Sequence, residues 1–218
     1  MSCRTAIRRI FRYATTPALL AGVVVLCSLV SCEKNIDNSV VQMQKDRAKL
    51  SDFLNTHCLT PSGDILPLSQ VPGATGESLP EGYVPLCDTA AATGNMYVIH
   101  LAEGAGDRAA GSLHVSIRYQ GYYLDGLQLF DAVWDDQPPY PLWVSGALSG
   151  IRAGLATMRS GVLDPQSETG YRSPGQAWFI LPSPMAYGQD GRNDPPVPPN
   201  TCVAYRIILY GILDTAGN

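Results

Sequence analysis

Histidine is scarce in this chain: His57, His100 and His114 are the three among 218 residues, and they stand far apart in unrelated contexts. A metal centre or a Cys/His nucleophile needs several such side chains converging on one point, so no metal and no cofactor is expected. Also missing are a Gly-x-Ser-x-Gly elbow, a phosphate-binding loop, a dinucleotide fingerprint and a histidine-rich tail. Their absence removes the serine-hydrolase, nucleotide-triphosphate and dinucleotide classes from the first readings. No apolar run is long enough for a permanent membrane span either. The longest, residues 19–30, rises only about 18 Å as a helix against a hydrocarbon core of about 30 Å.

Residues 1–31 nonetheless differ in composition from the rest. Four arginines (Arg4, Arg8, Arg9 and Arg12) precede the uncharged apolar run, the layout of a secretory signal. The run ends in Leu29-Val30-Ser31-Cys32, which resembles the lipobox of bacterial lipoproteins. That resemblance implies cleavage before Cys32, lipidation of Cys32, and a membrane-anchored lipoprotein of the cell envelope, with the outer membrane, on its periplasmic side or at the surface, expected ahead of the inner membrane. Removing residues 1–31 takes four of 15 basic residues and none of the 19 acidic ones, leaving 11 against 19 and a formal net charge of −8. Nucleic acid is therefore not an expected partner. The membrane would be held through acyl chains, which anchor stably when several sit on one residue. Cys58, Cys87 and Cys202 remain, an odd number in a compartment where disulfides persist. Two arrangements fit: three buried thiols, or one Cys58–Cys87 bridge.

Three regions follow along the chain: the signal at 1–31, a tether, helix and loop-rich extension at 32–94, and a folded domain at 95–218. Within the extension, Met43, Leu50, Phe53 and Leu54 recur near helical spacing, which predicts a helix over 41–57. Prolines and glycines without sustained period make 58–94 a loop-rich stretch. From residue 95 the period changes to two. Val115, Ile117 and Tyr119 alternate with His114, Ser116 and Arg118, and Asp125-Gly126 reads as a hairpin turn before 127–130. Leu148, Ile151, Leu155 and Met158 then recur at helical spacing, followed by strands at 176–181 and 202–213. Strands surrounding one short helix predict an α+β fold with an antiparallel sheet.

The motifs in this region share an order. Val115-Ser-Ile-Arg-Tyr119-Gln-Gly121, Asp125-Gly126, Phe130-Asp131, Leu148-Ser-Gly150-Ile151, Ala186-Tyr187-Gly188 and Val197-Pro198-Pro199-Asn200 together resemble the FK506-binding type of peptidyl-prolyl cis-trans isomerase. The resemblance covers about 95–213. It implies an antiparallel half-barrel wrapped around one short helix, and isomerase activity on proline-containing polypeptides that helps exported proteins fold. It also implies a site: Tyr187, Asp131 and Phe130 as catalytic residues, and Tyr119, Leu148, Ile151, Val197 and Tyr205 as substrate-binding residues. The Tyr187 hydroxyl and the Leu148 N–H would bond the substrate carbonyl.

The chain also departs from that family. Ile151 stands where a tryptophan floor is common, Tyr205 stands where phenylalanine is usual, and 162–174 is an insertion. The segment before the helix leaves open whether Tyr140 or Trp143 adds an aromatic wall. These departures keep a second reading alive, a catalytically weak or inactive binding module that holds a partner protein in an envelope assembly. A further expectation concerns the outer face of the sheet. Trp178, Ile180, Ile208 and Tyr210 alternate with inward residues, and an uncovered face would be a large apolar patch. The 41–57 helix, the insertion or a second subunit should lie across it.

Overall fold

The structure is a computed structural model that describes residues 38–73, 78–134 and 138–213. The expected signal, the lipobox and Cys32 lie outside the described residues. Helix α1, Asn38–Thr56, contains neither glycine nor proline and buries one face through Asp46, Leu50, Phe53 and Leu54. Its last carbonyls are not left bare. The Thr56 hydroxyl donates to the Asp52 carbonyl at 2.8 Å, and the His57 ring, stacked on Phe53, bonds the Phe53 carbonyl at 3.0 Å.

Beyond α1 the chain forms more structure than a loop-rich stretch. Strands β1 (His57–Leu59), β2 (Ile65–Pro67) and β3 (Val84–Pro85) make a small antiparallel sheet, followed by a turn of helix α2 (Leu86–Thr89). Two or three residues are too few to show alternation, and Pro67 and Pro85 close their strands, so no period reaches the sequence. β4 (Ala91–Thr93) already pairs with β5 (Met96–Ala102), which makes the main sheet begin before residue 95.

The main sheet has seven strands, all neighbours antiparallel. It adds β6 (His114–Tyr123), β7 (Leu129–Val133), β8 (Tyr140–Trp143), β11 (Gly175–Leu181) and β12 (Val203–Ile212) in the order β4-β5-β11-β12-β6-β7, with β8 also paired to β6. Helix α3 (Ser149–Leu155) packs on one face. There Ala177, Phe179 and Leu181 of β11, with Tyr205, Ile207 and Leu209 of β12, meet Ile151 and Leu155 in a single core. The helix comes close because Gly154 carries no side chain: a Cβ there would stand 2.5 Å from the Phe179 ring. This is the α+β architecture the alternation predicted.

The opposite face is covered from two sides. Leu50, Phe53 and Leu54 of α1, with Ile65 and Leu86, bury Trp178, Ile180, Ala204 and Cys202 in a second core. At the far end a bulge in β12 between Leu209 and Gly211 turns Tyr210 out of register. Tyr210 is covered by Tyr171, from the ribbon β9 (Val162–Leu163) and β10 (Tyr171–Arg172), and by the Arg118 guanidinium 5.6 Å above its ring. Extension and insertion therefore divide the work. Neither cysteine arrangement holds: Cys58 and Cys202 are buried, Cys87 is exposed, and all three are free. The lone exposed thiol follows from its place on α2, a single turn on the rim of the extension.

Candidate functional site

The hollow begins at the N-terminus of α3. A tight turn at Val144–Gly146 leads to Leu148, which is extended (φ −51°, ψ 143°) and accepts the first helical bond from Arg152 N–H. The Arg152 side chain reaches back and donates to the carbonyls of Ser145 and Ala147 at 3.1 and 3.0 Å, so the turn that presents Ala147 and Leu148 is fixed. Ile151, one helical turn on, faces the sheet. Above it lies a cavity of about 220 Å³ lined by Ile117 and Tyr119 of β6, Tyr205 and Ile207 of β12, Tyr140 and Leu142 of β8, Asp131 of β7, and Tyr187 and Arg192 of the loop before β12. Alternation sets the first group. Ile117, Tyr119, Tyr205 and Ile207 occupy the same face as the core and simply continue it outward.

Six of the eight expected site residues, Tyr119, Asp131, Leu148, Ile151, Tyr187 and Tyr205, meet in this cavity. Two do not. Val197 is 2 % exposed and packs into the main core, because its backbone makes a two-way bridge with Arg192 (2.7 and 2.8 Å) that turns its side chain inward. Phe130 stands behind the wall, its ring edge-on to Tyr187 and Tyr205 at centroid distances of 6.2 and 5.9 Å. It supports the two tyrosines without lining the hollow. The room for it comes from Gly121, where a Cβ would sit 2.8 Å from the Tyr205 ring and 2.9 Å from Phe130. Of the two aromatic candidates before α3, Tyr140 lines the cavity, whereas Trp143, 63 % exposed, stacks on His114.

A chain of polar contacts crosses the mouth. The hydroxyls of Tyr187 and Tyr205 are 2.7 Å apart, the Arg192 guanidinium donates to the Tyr187 hydroxyl at 3.0 Å, and the same nitrogen donates to Asp131 at 2.8 Å. Tyr205 is 4 % exposed. Either hydroxyl of the pair can be the donor. A phenol oxygen has two acceptor positions and one proton. In the arrangement in which Tyr205 donates, Arg192 and Tyr205 fill both acceptor positions of Tyr187, and its proton is free for a ligand in the hollow.

The electrostatics agree with this geometry. Burial pushes the Tyr119 phenol up to about 12, with the Asp131 carboxylate adding to it. Burial likewise pushes Tyr205 up, reinforced by Tyr187. Arg192 is raised although burial opposes its charge, because its bonds to Tyr187 and Asp131 favour the cation. Both wall phenols are thus neutral donors at neutral pH. Arg192 is the residue that sequence reasoning missed. It sits in a polar turn, Gly191-Arg192-Asn193-Asp194, and the one available hint was that Asp131, expected near an apolar hollow, needed a counter-ion.

The fold and this site define an α+β half-barrel that forms a hollow of aromatic and aliphatic side chains over one short helix, with the Tyr187 hydroxyl, Asp131 and Arg192 on its wall. No family model matches the chain. A human protein described as the inactive peptidyl-prolyl cis-trans isomerase FKBP6 is 33 % identical over 118 residues, which is 53 % of this chain and 32 % of that protein. The chain thus spans about a third of the length of this curated relative. Among solved structures, the N-terminal domain of FKBP42 from Arabidopsis thaliana is 20 % identical with a TM-score of 0.46, covering 65 % of this chain and 96 % of that one. A peptidyl-prolyl cis-trans isomerase from Pseudomonas syringae pv. tomato is 18 % identical with a TM-score of 0.46, covering 75 % and 92 %.

Proposed function

We propose that this protein is a peptidyl-prolyl cis-trans isomerase of the FK506-binding type that assists the folding of exported proteins in the cell envelope, held at a membrane through lipid on Cys32. Rotation about an X-Pro bond is slow because amide resonance raises a barrier of about 18–20 kcal/mol. No proton transfer and no nucleophile is needed to lower it. In the twisted amide the carbonyl has lost charge separation, so an apolar hollow disfavours the planar form relative to the twisted one, and fixed donors hold the oxygen while it turns. Tyr119, Tyr205, Ile151 and Leu148 supply the hollow, and the Tyr187 hydroxyl with the Leu148 N–H supplies the donors. Its 220 Å³ falls below the roughly 300–1,000 Å³ of sites for drug-sized ligands, a size suited to one side chain such as a prolyl ring.

The observation that carries this reading is the Tyr187 hydroxyl, bonded to Tyr205 and Arg192, on the wall of a hollow floored by Ile151. The 33 % identity to the human relative over 118 residues supports the family side of it. The test is cis-to-trans isomerisation of succinyl-Ala-Leu-Pro-Phe-p-nitroanilide, with Tyr187→Phe and Phe130→Ala as controls. Acceleration that Tyr187→Phe reduces supports the enzyme. Absence of acceleration by the native chain rejects it.

A second reading has its own observation. Ile151 gives a smaller floor than an indole, and the human relative is an inactive peptidyl-prolyl cis-trans isomerase. On that reading the hollow grips a proline-containing segment of an envelope partner without turning it over. Binding of the same peptide with no acceleration would select this alternative.

A further inference from the structure

We propose that Asp46, on the helix that precedes the sheet, is a positioning residue for Tyr187: its buried carboxylate holds the turn at Ser183 from which the tyrosine is presented. The inference rests on the reading of Tyr187 as the donor in the hollow, and it makes the N-terminal extension a working part of the site.

Asp46 is fully buried, on the same face of α1 as Leu50, Phe53 and Leu54. A leucine would serve that packing better, since a buried carboxylate is tolerated only when hydrogen bonds satisfy it. Among the described residues no lysine or arginine pairs with Asp46. Its partners are neutral donors instead. One oxygen accepts from the Ser183 N–H at 2.8 Å and from the Ser183 hydroxyl at 2.6 Å, the other accepts from the Gln42 amide at 2.7 Å, and the buried Cys202 thiol also bonds the carboxylate.

Ser183 in turn organises the loop. It is fully buried, it gives both of its donors to Asp46, and its carbonyl accepts from the N–H groups of Ala186 and Gly188 at 3.0 and 2.8 Å. Those two residues bracket Tyr187. The Tyr187 carbonyl then accepts from Gly191 N–H at 3.1 Å, one residue before the arginine that bonds the Tyr187 hydroxyl. A single run of contacts therefore leads from a carboxylate in the extension, through one serine, to the tyrosine and its cationic partner. The geometry needs an oxygen acceptor at position 46, and the charge itself is secondary.

The experiment uses the full chain carrying tyrosine labelled with 13C at Cζ, which reports phenol hydrogen bonding, together with the peptide isomerisation assay. The Tyr187 resonance is assigned by its loss in Tyr187→Phe. Asp46→Leu keeps apolar packing and removes the acceptor. It should move the Tyr187 resonance and lower kcat by about tenfold or more with KM little changed, as expected of a misplaced donor. Asp46→Asn keeps an acceptor oxygen and should restore both readouts toward the native values. Leu54→Ala loosens the same helix without touching Ser183, and below its melting temperature it should leave both readouts native. Should Asp46→Leu fail to fold, Ser183→Ala, which deletes one of the two donors, should shift the resonance in the same sense by a smaller amount. A Tyr187 resonance unmoved in Asp46→Leu, or in Ser183→Ala in its place, overturns the inference, as does an equal shift in Leu54→Ala. If the native chain does not accelerate isomerisation, the enzyme reading fails by itself and the resonances alone decide this one.

Discussion

A buried phenol has one proton to place and two lone pairs to fill, and in this site the second hydroxyl decides how Tyr187 fills them. Tyr205→Phe removes the hydroxyl that Tyr187 bonds while leaving its ring, and the Tyr187 hydroxyl then keeps only Arg192 as its partner. A hydrogen bond of this kind is worth about 0.5–1.5 kcal/mol net, so on the proposed isomerase activity Tyr205→Phe should slow the reaction roughly 2- to 10-fold with the fold intact. In a Tyr187→Phe background the same change should have almost no effect, because the coupling partner is gone. Additive losses in the two single variants would break this account of the pair.

The phenols also set an alkaline limit. Tyr119 titrates ordinarily near 10 and is pushed up to about 12 in the folded protein, so between those values the unfolded chain releases a proton that the folded one keeps. Stability contributed by Tyr119 is fully present below pH 10 and is lost as pH rises toward 12. Thermal melts at pH 8, 10 and 11 should show a melting temperature that falls with pH, and Tyr119→Phe should make that fall shallower. A parallel fall in the variant would assign the effect elsewhere.

At the scale of elements, α3 is short, and its position over the sheet depends on how near it can come. Gly154→Ala would put a methyl 2.5 Å from the Phe179 ring, and overpacking of this kind typically destabilises by about 1–3 kcal/mol. Because the same helix carries Ile151, the hollow should widen as well. Urea denaturation is expected to show the lost stability, and peptide affinity should fall with it. The two long strands and α3 could be read from residue order because each is long enough to display its period. The pieces β1, β2, β3 and α2 could not, being two to four residues each and held by partners rather than by pattern.

At the scale of the whole molecule, the sheet has an apolar layer on each side, and the extension is what makes the second layer possible. Leu50→Ala, deep in that layer, should destabilise by about 2–5 kcal/mol, lowering the melting temperature by about 4–20 °C for a unit of this size. Deleting residues 39–90 should do more, exposing Trp178, Ile180 and Ala204 together. A deletion variant that melts at the native temperature would show that this layer contributes nothing. The stretch 162–174 plays the corresponding part at the other end, with Tyr171 over Tyr210, so it has a packing role.

Residue order by itself determined the alternation that faces Ile117, Tyr119, Tyr205 and Ile207 to one side, the turn at Asp125-Gly126, and the need to cover Trp178 and Ile180, because each is a matter of near neighbours and local period. It also named Tyr187 and Asp131 through short motifs. Only the tertiary structure decided that Arg192 joins them, across 61 residues from Asp131, and that Asp46 meets Ser183 across 137. It alone chose Tyr140 over Trp143 and withdrew Val197 and Phe130 from the hollow. Contacts of that reach leave no trace in spacing, since a hydrogen bond needs only that two groups arrive at one place, whichever distance along the chain they travel to reach it.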